Sequence, residues 1–380
     1  MAEIRLVNLR KAFDDFVAVR DTTLTIHEGE FFALLGPSGC GKTTTLRMIA
    51  GLEMPTSGRI ELDGRDVTSV RAAKRDIAFV FQMFALYPHL RVKDNIAYPL
   101  RSQGIPASER KERIDEVARV LRIEHLLKRR ISSLAGGDRQ RVALARGMVR
   151  RPRAFLMDEP LGTLDAEMRS AMREELRGLH DRIGATSVYV THDQIEAMSM
   201  ADRIAVMSKG DVLQAAPPME LYLNPASLFV AGFVGSPAMN FIEIEGPLAP
   251  GATSAQAALP GAPELPVPAL PEGASGQKLV LGIRPEHLKV GADEPISGTV
   301  FATEYLGSHR LVVIETPAGR LRARVAKGLA LKIGDRIGVG VDPAWAILFD
   351  ADTGLALNRT TPPETAAGHT PMLHAEASHG

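Results

Sequence analysis

The fold class predicted is an α/β domain followed by a small all-β barrel, and three observations predict it. Short apolar runs alternate with helical periodicities through the first 210 residues. The character of the chain changes near residue 235 and becomes rich in Pro, Ala and Gly between residues 246 and 276. Beyond that, strand-like runs recur at close spacing, punctuated by Gly and Pro.

The first-domain strands are expected at Phe31–Leu35, Ile77–Phe81, Ala154–Met157, Ser187–Val190 and Ile204–Met207. Runs that are apolar on both faces suit strands covered on both sides, as in a parallel sheet. Helices are expected at Glu109–Leu121, where Ile114, Val117 and Leu121 recur at spacings of three and four, and at Ala166–Arg182. Residues 246–276 read as a long irregular loop or linker. The barrel strands are expected at Leu279–Ile283, Gly298–Thr303, Arg310–Thr316, Arg320–Val325, Arg336–Val341 and Trp345–Leu348. The expected domains are therefore 1–235 and 236–355, with a disordered tail over 356–380.

A chain of 380 residues accommodates two to three domains, and 45% hydrophobic with 24% charged residues is ordinary for a soluble globular protein. Zero formal net charge gives no whole-chain footprint for nucleic acid, and none is expected as a partner. The single cysteine, Cys40, excludes an intramolecular disulfide and fits a reducing compartment. The opening MAEIRLVNLR carries charges where a signal peptide needs an apolar stretch. The longest uncharged stretch, Gly246 to Pro263, is interrupted by four prolines and is not expected to span a bilayer. Action at a membrane would then require a partner.

Gly36-Pro37-Ser38-Gly39-Cys40-Gly41-Lys42-Thr43-Thr44 is a P-loop with the context that motif demands. A strand, Phe31–Leu35, precedes it and a helical run, Thr43–Ala50, follows. Glycines let backbone N–H groups converge on phosphate oxygens without Cβ clashes, and the helix N-terminus directs its dipole at the same anion. ATP is the expected ligand, with Lys42 on the β- and γ-phosphates and the Thr43 hydroxyl on Mg²⁺. Cys40 is read as a spacer.

Arg153-Ala-Phe-Leu-Met-Asp158-Glu159 ends an apolar run in two carboxylates. They fall at the C-terminal edge of a buried strand, where open α/β sheets bind ligands. Asp158 is the candidate to hold Mg²⁺ through water, and Glu159 to take a proton from an attacking water.

With these motifs in place, the first 235 residues resemble the nucleotide-binding domain of ABC transporters, within the P-loop NTPase class. Leu134-Ala135-Gly136-Gly137-Asp138 resembles the family's LSGGQ signature. Gln82, after the strand Ile77–Phe81, resembles the Q-loop glutamine and is a candidate for both catalysis and metal contact. Leu164-Asp165 resembles the D-loop, His192 the switch histidine, and Phe13 the aromatic residue set against adenine. The resemblance implies a head-to-tail dimer in which each ATP contacts the P-loop of one chain and the signature loop of the other. The Gly-Gly pair precedes a helix expected at Arg139–Val149, whose N-terminus suits a γ-phosphate in trans.

The chain departs from the family pattern in two places. Ala135 lacks the hydroxyl that the usual Ser offers, a loss of about 1.5–3 kcal/mol at most. Gly162-Thr163 stands where Ser-Asn is common. Two readings follow: a variant that works as a homodimer, or half of a heterodimer whose partner supplies a standard signature.

The absence of a second P-loop, a long heptad insertion or an apolar span disfavours translation, repair and fused-exporter relatives. Gly232-Phe-Val-Gly-Ser-Pro-Ala-Met-Asn240-Phe241 and Leu281-Gly-Ile-Arg-Pro-Glu-His-Leu288 resemble the junction and OB-like regulatory barrel of carbohydrate-importer ATPases of the maltose and glycerol-phosphate type. The resemblance implies integral-membrane permease subunits, indirectly a solute-binding protein, and a place on the cytoplasmic side of the inner membrane. Sugar, polyol or glycerol-type solutes are the implied cargo. Phe84, Leu86 and Tyr87 are either core or contacts for a permease helix, and Arg284 and Glu286 either a surface ion pair or a ligand site. Two rival readings are an ATP-gated regulatory protein with negligible turnover and a soluble ABC ATPase without a permease.

Overall fold

The chain opens on a hairpin, β1 (Ile4–Phe13) and β2 (Phe16–Ile26), turning at Asp14, whose φ is 46°. The computed structural model describes residues 2–162, 164–249, 251–258, 263–270 and 278–358. These divide into two compact units, Met1–Pro218 and Met219–Gly380.

In the first unit, β3 (Phe31–Leu35) leads into α1 (Lys42–Ala50), followed by β4 (Ser57–Leu62), β5 (Arg65–Asp66) and β6 (Ile77–Val80). Three helices come next: α2 (Val92–Ser102), α3 (Ala107–Val120) and α4 (Gly136–Met148). Then come β7 (Ala154–Asp158), α5 (Ala166–Ile183), β8 (Thr186–Thr191), α6 (Gln194–Met200), β9 (Arg203–Ser208) and β10 (Asp211–Ala216).

The six-stranded sheet runs β10-β9-β3-β8-β7-β6. β6, β7, β8, β3 and β9 are parallel, and β10 closes one edge antiparallel to β9. Every residue of β3, β7 and β8 is buried, as apolar runs on both faces require. A second, antiparallel sheet, β2-β1-β4-β5, packs Ile4, Leu6, Leu9 and Ile60 into the core that also contains Leu46, Leu34 and Val190. This sheet is not among the strands expected from sequence. β1 and β2 alternate polar and apolar residues, and register shifts break the alternation after Leu6 and Leu9. α4 begins at Gly136 rather than Arg139, because the Gly-Gly pair forms its first turn.

In the second unit, α7 (Pro218–Leu223), which starts at the boundary, and α8 (Leu228–Phe233) precede β11 (Asn240–Glu245), β12 (Ser254–Gln256) and β13 (Glu264–Pro266). β14 (Lys278–Ile283), β15 (Leu288–Gly291), β16 (Ile296–Tyr305), β17 (His309–Thr316), β18 (Gly319–Ala326), β19 (Arg336–Val341) and β20 (Ile347–Asp350) complete it. Antiparallel sheets β11-β14-β20 and β15-β19-β16-β17-β18 share one core through Ile242, Leu281, Val312 and Val339. They form a nearly closed all-β barrel-like unit.

The linker expectation over 246–276 needs correction where the structure describes it. β12 and β13 pair antiparallel, and Ala255, Leu265, Val267 and Leu270 are buried in the barrel core. Ala356 forms a bridge to Phe349, and Leu357 packs against the same core, so ordered chain continues past the expected start of the tail. The tail expectation beyond residue 358 lies outside the described residues.

Arg284 is not at the surface. It is buried and donates to the carbonyls of Ala231 (3.1 Å), Tyr222 (2.8 Å) and Val234, with its guanidinium 4.1 Å from the Tyr222 ring centroid. Glu286 accepts instead from the Tyr222 hydroxyl. Among the described residues no helix is long and apolar enough to cross a membrane, which says nothing of spanning strands.

Candidate functional site

The loop between β3 and α1 lies at the C-terminal edge of the parallel sheet. Gly39 and Gly41 take φ of 80° and 107°, a region where a side chain is strained. A Cβ on Gly41 would also lie 2.4 Å from the Ala18 carbonyl oxygen. No side chain caps α1, so the first N–H groups of that helix remain for an anion. Lys42 is buried, and its ammonium donates to the carbonyls of Gly36 (2.8 Å) and Pro37 (2.9 Å). Ser38 is exposed, and Thr43 and Thr44 are half-buried in the first turn. Cys40 is buried 3.9 Å from the Lys42 ammonium, and burial pushes its thiol up.

Four neighbours complete the centre. The Thr43 hydroxyl donates to the Asp158 carboxyl at 2.9 Å. Burial pushes that carboxyl up, opposed by Thr43, Arg47 and Lys42 and assisted by Glu159. Gln82 donates to one Glu159 oxygen at 3.3 Å, and His192 Nδ1 stands 3.4 Å from the other. Glu159 holds φ at 41°, a strained value for a non-glycine residue, and its N–H donates to Val190 at 3.0 Å. Six sequence-selected residues, Lys42, Thr43, Gln82, Asp158, Glu159 and His192, are thus linked around one strand edge.

The other candidates lie apart from these bonds. Phe13 is 42% exposed at the hairpin tip, with the Lys11 ammonium 4.5 Å from its ring centroid. Ala135 precedes α4, whose N-terminus has no side-chain cap, and Gly137 packs so tightly that a Cβ would meet Met168 Sδ at 2.8 Å. Asp165 caps α5 by accepting from Met168 N at 2.8 Å. Asp138, in the first turn of α4, is 3.5 Å from Arg141, which in turn makes a two-pronged contact with Glu175 at 2.9 and 3.0 Å. Gly162 donates to the Glu159 carbonyl, while Thr163 lies outside the described residues.

The donor set fits a nucleotide with Mg²⁺. Uncapped N–H groups and a lysine ammonium face one loop, beside a hydroxyl and a single carboxylate. Among the described residues no trio of His, Cys, Asp or Glu is grouped to hold a metal ion.

Sequence reasoning missed Arg146, which donates to the carbonyls of Ala85 (2.6 Å) and Phe84 (3.0 Å) and lies 5.7 Å from the Tyr87 ring centroid. It secures two consecutive residues with positive φ, Phe84 (59°) and Ala85 (48°). Phe84, Leu86 and Tyr87 are half-buried there. Also missed was the polar cluster behind His192: buried Glu196 accepts from Tyr189 (2.8 Å) and Thr191 (2.6 Å). Asp193-x-x-Glu196 reads as a capping pattern, the one sequence signal for that cluster.

The family model described as ABC transporter matches residues 19–162, MalK OB fold domain matches 235–288, and TOBE domain matches 281–349. The sn-glycerol-3-phosphate import ATP-binding protein UgpC 2 of Agrobacterium fabrum is 42% identical over 380 residues, covering 99% of this chain and 100% of the relative. The maltose/maltodextrin import ATP-binding protein MalK of Salmonella typhi is 43% identical over 357 residues, covering 93% and 96%. A dimeric ATP-binding cassette solved in a post-hydrolysis state with ADP and Pi superposes with a TM-score of 0.52 at 31% identity, over 57% of this chain and 98% of that one.

Proposed function

The chain belongs to the ABC transporter family of import ATP-binding proteins, and on that premise we propose that it is the ATP-hydrolysing subunit of an importer for a sugar, polyol or glycerol-type solute. One observation carries the assignment of chemistry. Glu159 is held between Gln82 and His192, one residue from the Asp158–Thr43 pair at the phosphate loop.

Lys42 and the first-turn N–H groups of α1, with Gly36, Ser38, Gly39, Cys40, Gly41 and Thr44 shaping the loop, hold the phosphates, and Phe13 stacks on the base. Thr43 and Asp158 hold Mg²⁺ with Gln82 nearby; when bound, Mg²⁺ supplies charge neutralisation on the phosphate oxygens. Glu159 accepts the proton of the attacking water, and Gln82 and His192 fix that carboxylate and the region of the γ-phosphate.

Ala135, Gly136 and Gly137 of a second ATPase subunit, with its Asp165, close the site from the other side. That subunit is a second copy of this chain or a related one. Integral-membrane permease subunits, served by a solute-binding protein, receive the work, which places the chain on the cytoplasmic side of the inner membrane. Residues 1–235 then form the catalytic domain and 236–355 the regulatory barrel.

The experiment is phosphate release from purified chain with ATP and Mg²⁺, repeated after Glu159→Gln. A loss of about 100-fold or more supports the roles; unchanged release overturns them.

A further inference from the structure

His192 has a largely exposed imidazole, 56% accessible, whose one described polar partner is Glu159. An exposed side chain is placed accurately only if its backbone is fixed, and both neighbours of His192 are. On one side, the Thr191 hydroxyl donates to buried Glu196 at 2.6 Å and accepts from Asp193 N at 2.9 Å. On the other, Asp193 uses its two oxygens differently. Oδ1 caps α6 by accepting from Ile195 N (2.8 Å) and Glu196 N (3.3 Å), while Oδ2 lies 3.2 Å from the Arg169 guanidinium.

Arg169 stands in the first turn of α5, with its N–H bonded to the Asp165 carbonyl at 2.9 Å. Its other terminal nitrogen donates to the Leu164 carbonyl at 3.0 Å, and its Nε, which has no hydrogen bond, is 3.9 Å from the free oxygen of Glu196. One planar group therefore ties the carbonyl immediately before Asp165 to the residue immediately after His192. The fork geometry of a guanidinium makes both bonds at once, which a point-charge ammonium does not.

We infer that Arg169 is a positioning residue that locks the Leu164–Asp165 segment to the segment carrying His192, so that displacement of one moves the other. This rests on the proposed roles of Asp165 at the subunit contact and His192 at the γ-phosphate. Contact of a second subunit with Asp165 is then transmitted to His192 through two direct hydrogen bonds.

Steady-state ATP hydrolysis by the full chain tests it with four variants. Arg169→Met and Asp193→Asn should each lower kcat about 10- to 100-fold with KM for ATP within about twofold of wild type. Asn is as good a cap as Asp, so Asp193→Asn keeps the α6 cap through its amide oxygen but sets an NH2 donor in place of the Oδ2 acceptor that faces Arg169, breaking that tie; a merely structural role would leave kcat unmoved. Arg169→Lys should recover part of the loss. In a His192→Ala background, Arg169→Met should cost less than about threefold more.

Wild-type kcat in Asp193→Asn, or an undiminished Arg169→Met effect without His192, overturns the inference. If Arg169→Met does not fold, Asp193→Asn decides alone. Wild-type kcat in His192→Ala overturns the site reading itself, a result distinct from either of these.

Discussion

The Thr43 hydroxyl donates to Asp158 at 2.9 Å and so joins the first turn of α1 to the last residue of β7. Two segments 115 residues apart in sequence meet at one bond, where the carboxyl is kept in surroundings that disfavour its charge.

Asp158→Asn keeps the acceptor for Thr43 and removes the charge. Phosphate release with Mg²⁺ should fall by about two orders of magnitude. Stability should move the other way. A carboxyl whose folded pKa is raised favours the fold fully below its unfolded pKa, and that contribution is lost as pH rises through the folded value. At pH 7 the ligand-free variant should therefore melt no lower than wild type, as read by scanning calorimetry.

Ala135→Ser restores a hydroxyl at the uncapped N-terminus of α4. ATP turnover of the chain alone should stay equal or rise, by at most about ten- to a hundredfold for one bond to a charged group. A large fall would show that position 135 has no room for the hydroxyl. The same assay on wild type separates the two subunit arrangements, since robust turnover without another ATPase subunit excludes an obligate heterodimer.

His287 stacks on Trp345, the chain's single tryptophan, with ring centroids 4.2 Å apart and planes 3° from parallel. Burial holds the imidazole below its usual pKa, with Arg284 acting the same way and Glu286 and Asp342 opposing. Protonated imidazole quenches indole emission, so Trp345 fluorescence should fall on acidification with a midpoint below 6.5. His287→Gln should abolish the step. For a depressed pKa, the stabilising contribution is present above the unfolded value and is lost as pH falls through the folded one. Acid should therefore loosen the second unit through this residue.

Arg284→Met leaves the carbonyls of Ala231, Val234 and Tyr222 without their buried donor. Urea unfolding followed by Trp345 emission should show a loss of about 2–4 kcal/mol. Tyr222, beside it, is pushed up to about 12 by burial and by its bond to Glu286. Its contribution is complete below the unfolded pKa near 10 and is lost as pH rises toward 12. Tyr222→Phe should flatten that alkaline decline.

What was legible in the sequence follows from how far apart the interacting residues are. β3 and β7 announce themselves as five consecutive buried residues ending at the loop or at the carboxylates, so the phosphate-side residues were visible from local pattern. β1, β2 and β4 alternate polarity and contain bulges, which weakens the period-2 signal. β12 and β13 are three residues long in Pro-rich surroundings, below the length at which alternation can be read. Arg146 carried no signal, and Arg284 read as a surface ion pair or a ligand site, because the acceptors of both are backbone carbonyls 50 to 62 residues away, which no spacing encodes.

Cys40 gives the molecule a practical property. It is the sole thiol, 4% accessible, within the loop between β3 and α1 that is proposed to cradle phosphate. A cysteine introduced at an exposed position such as Met83 or Tyr305 would therefore take up a maleimide dye or spin label against a nearly silent background. Slow modification of Cys40 itself would clock the opening of that loop, and bound nucleotide would register as protection.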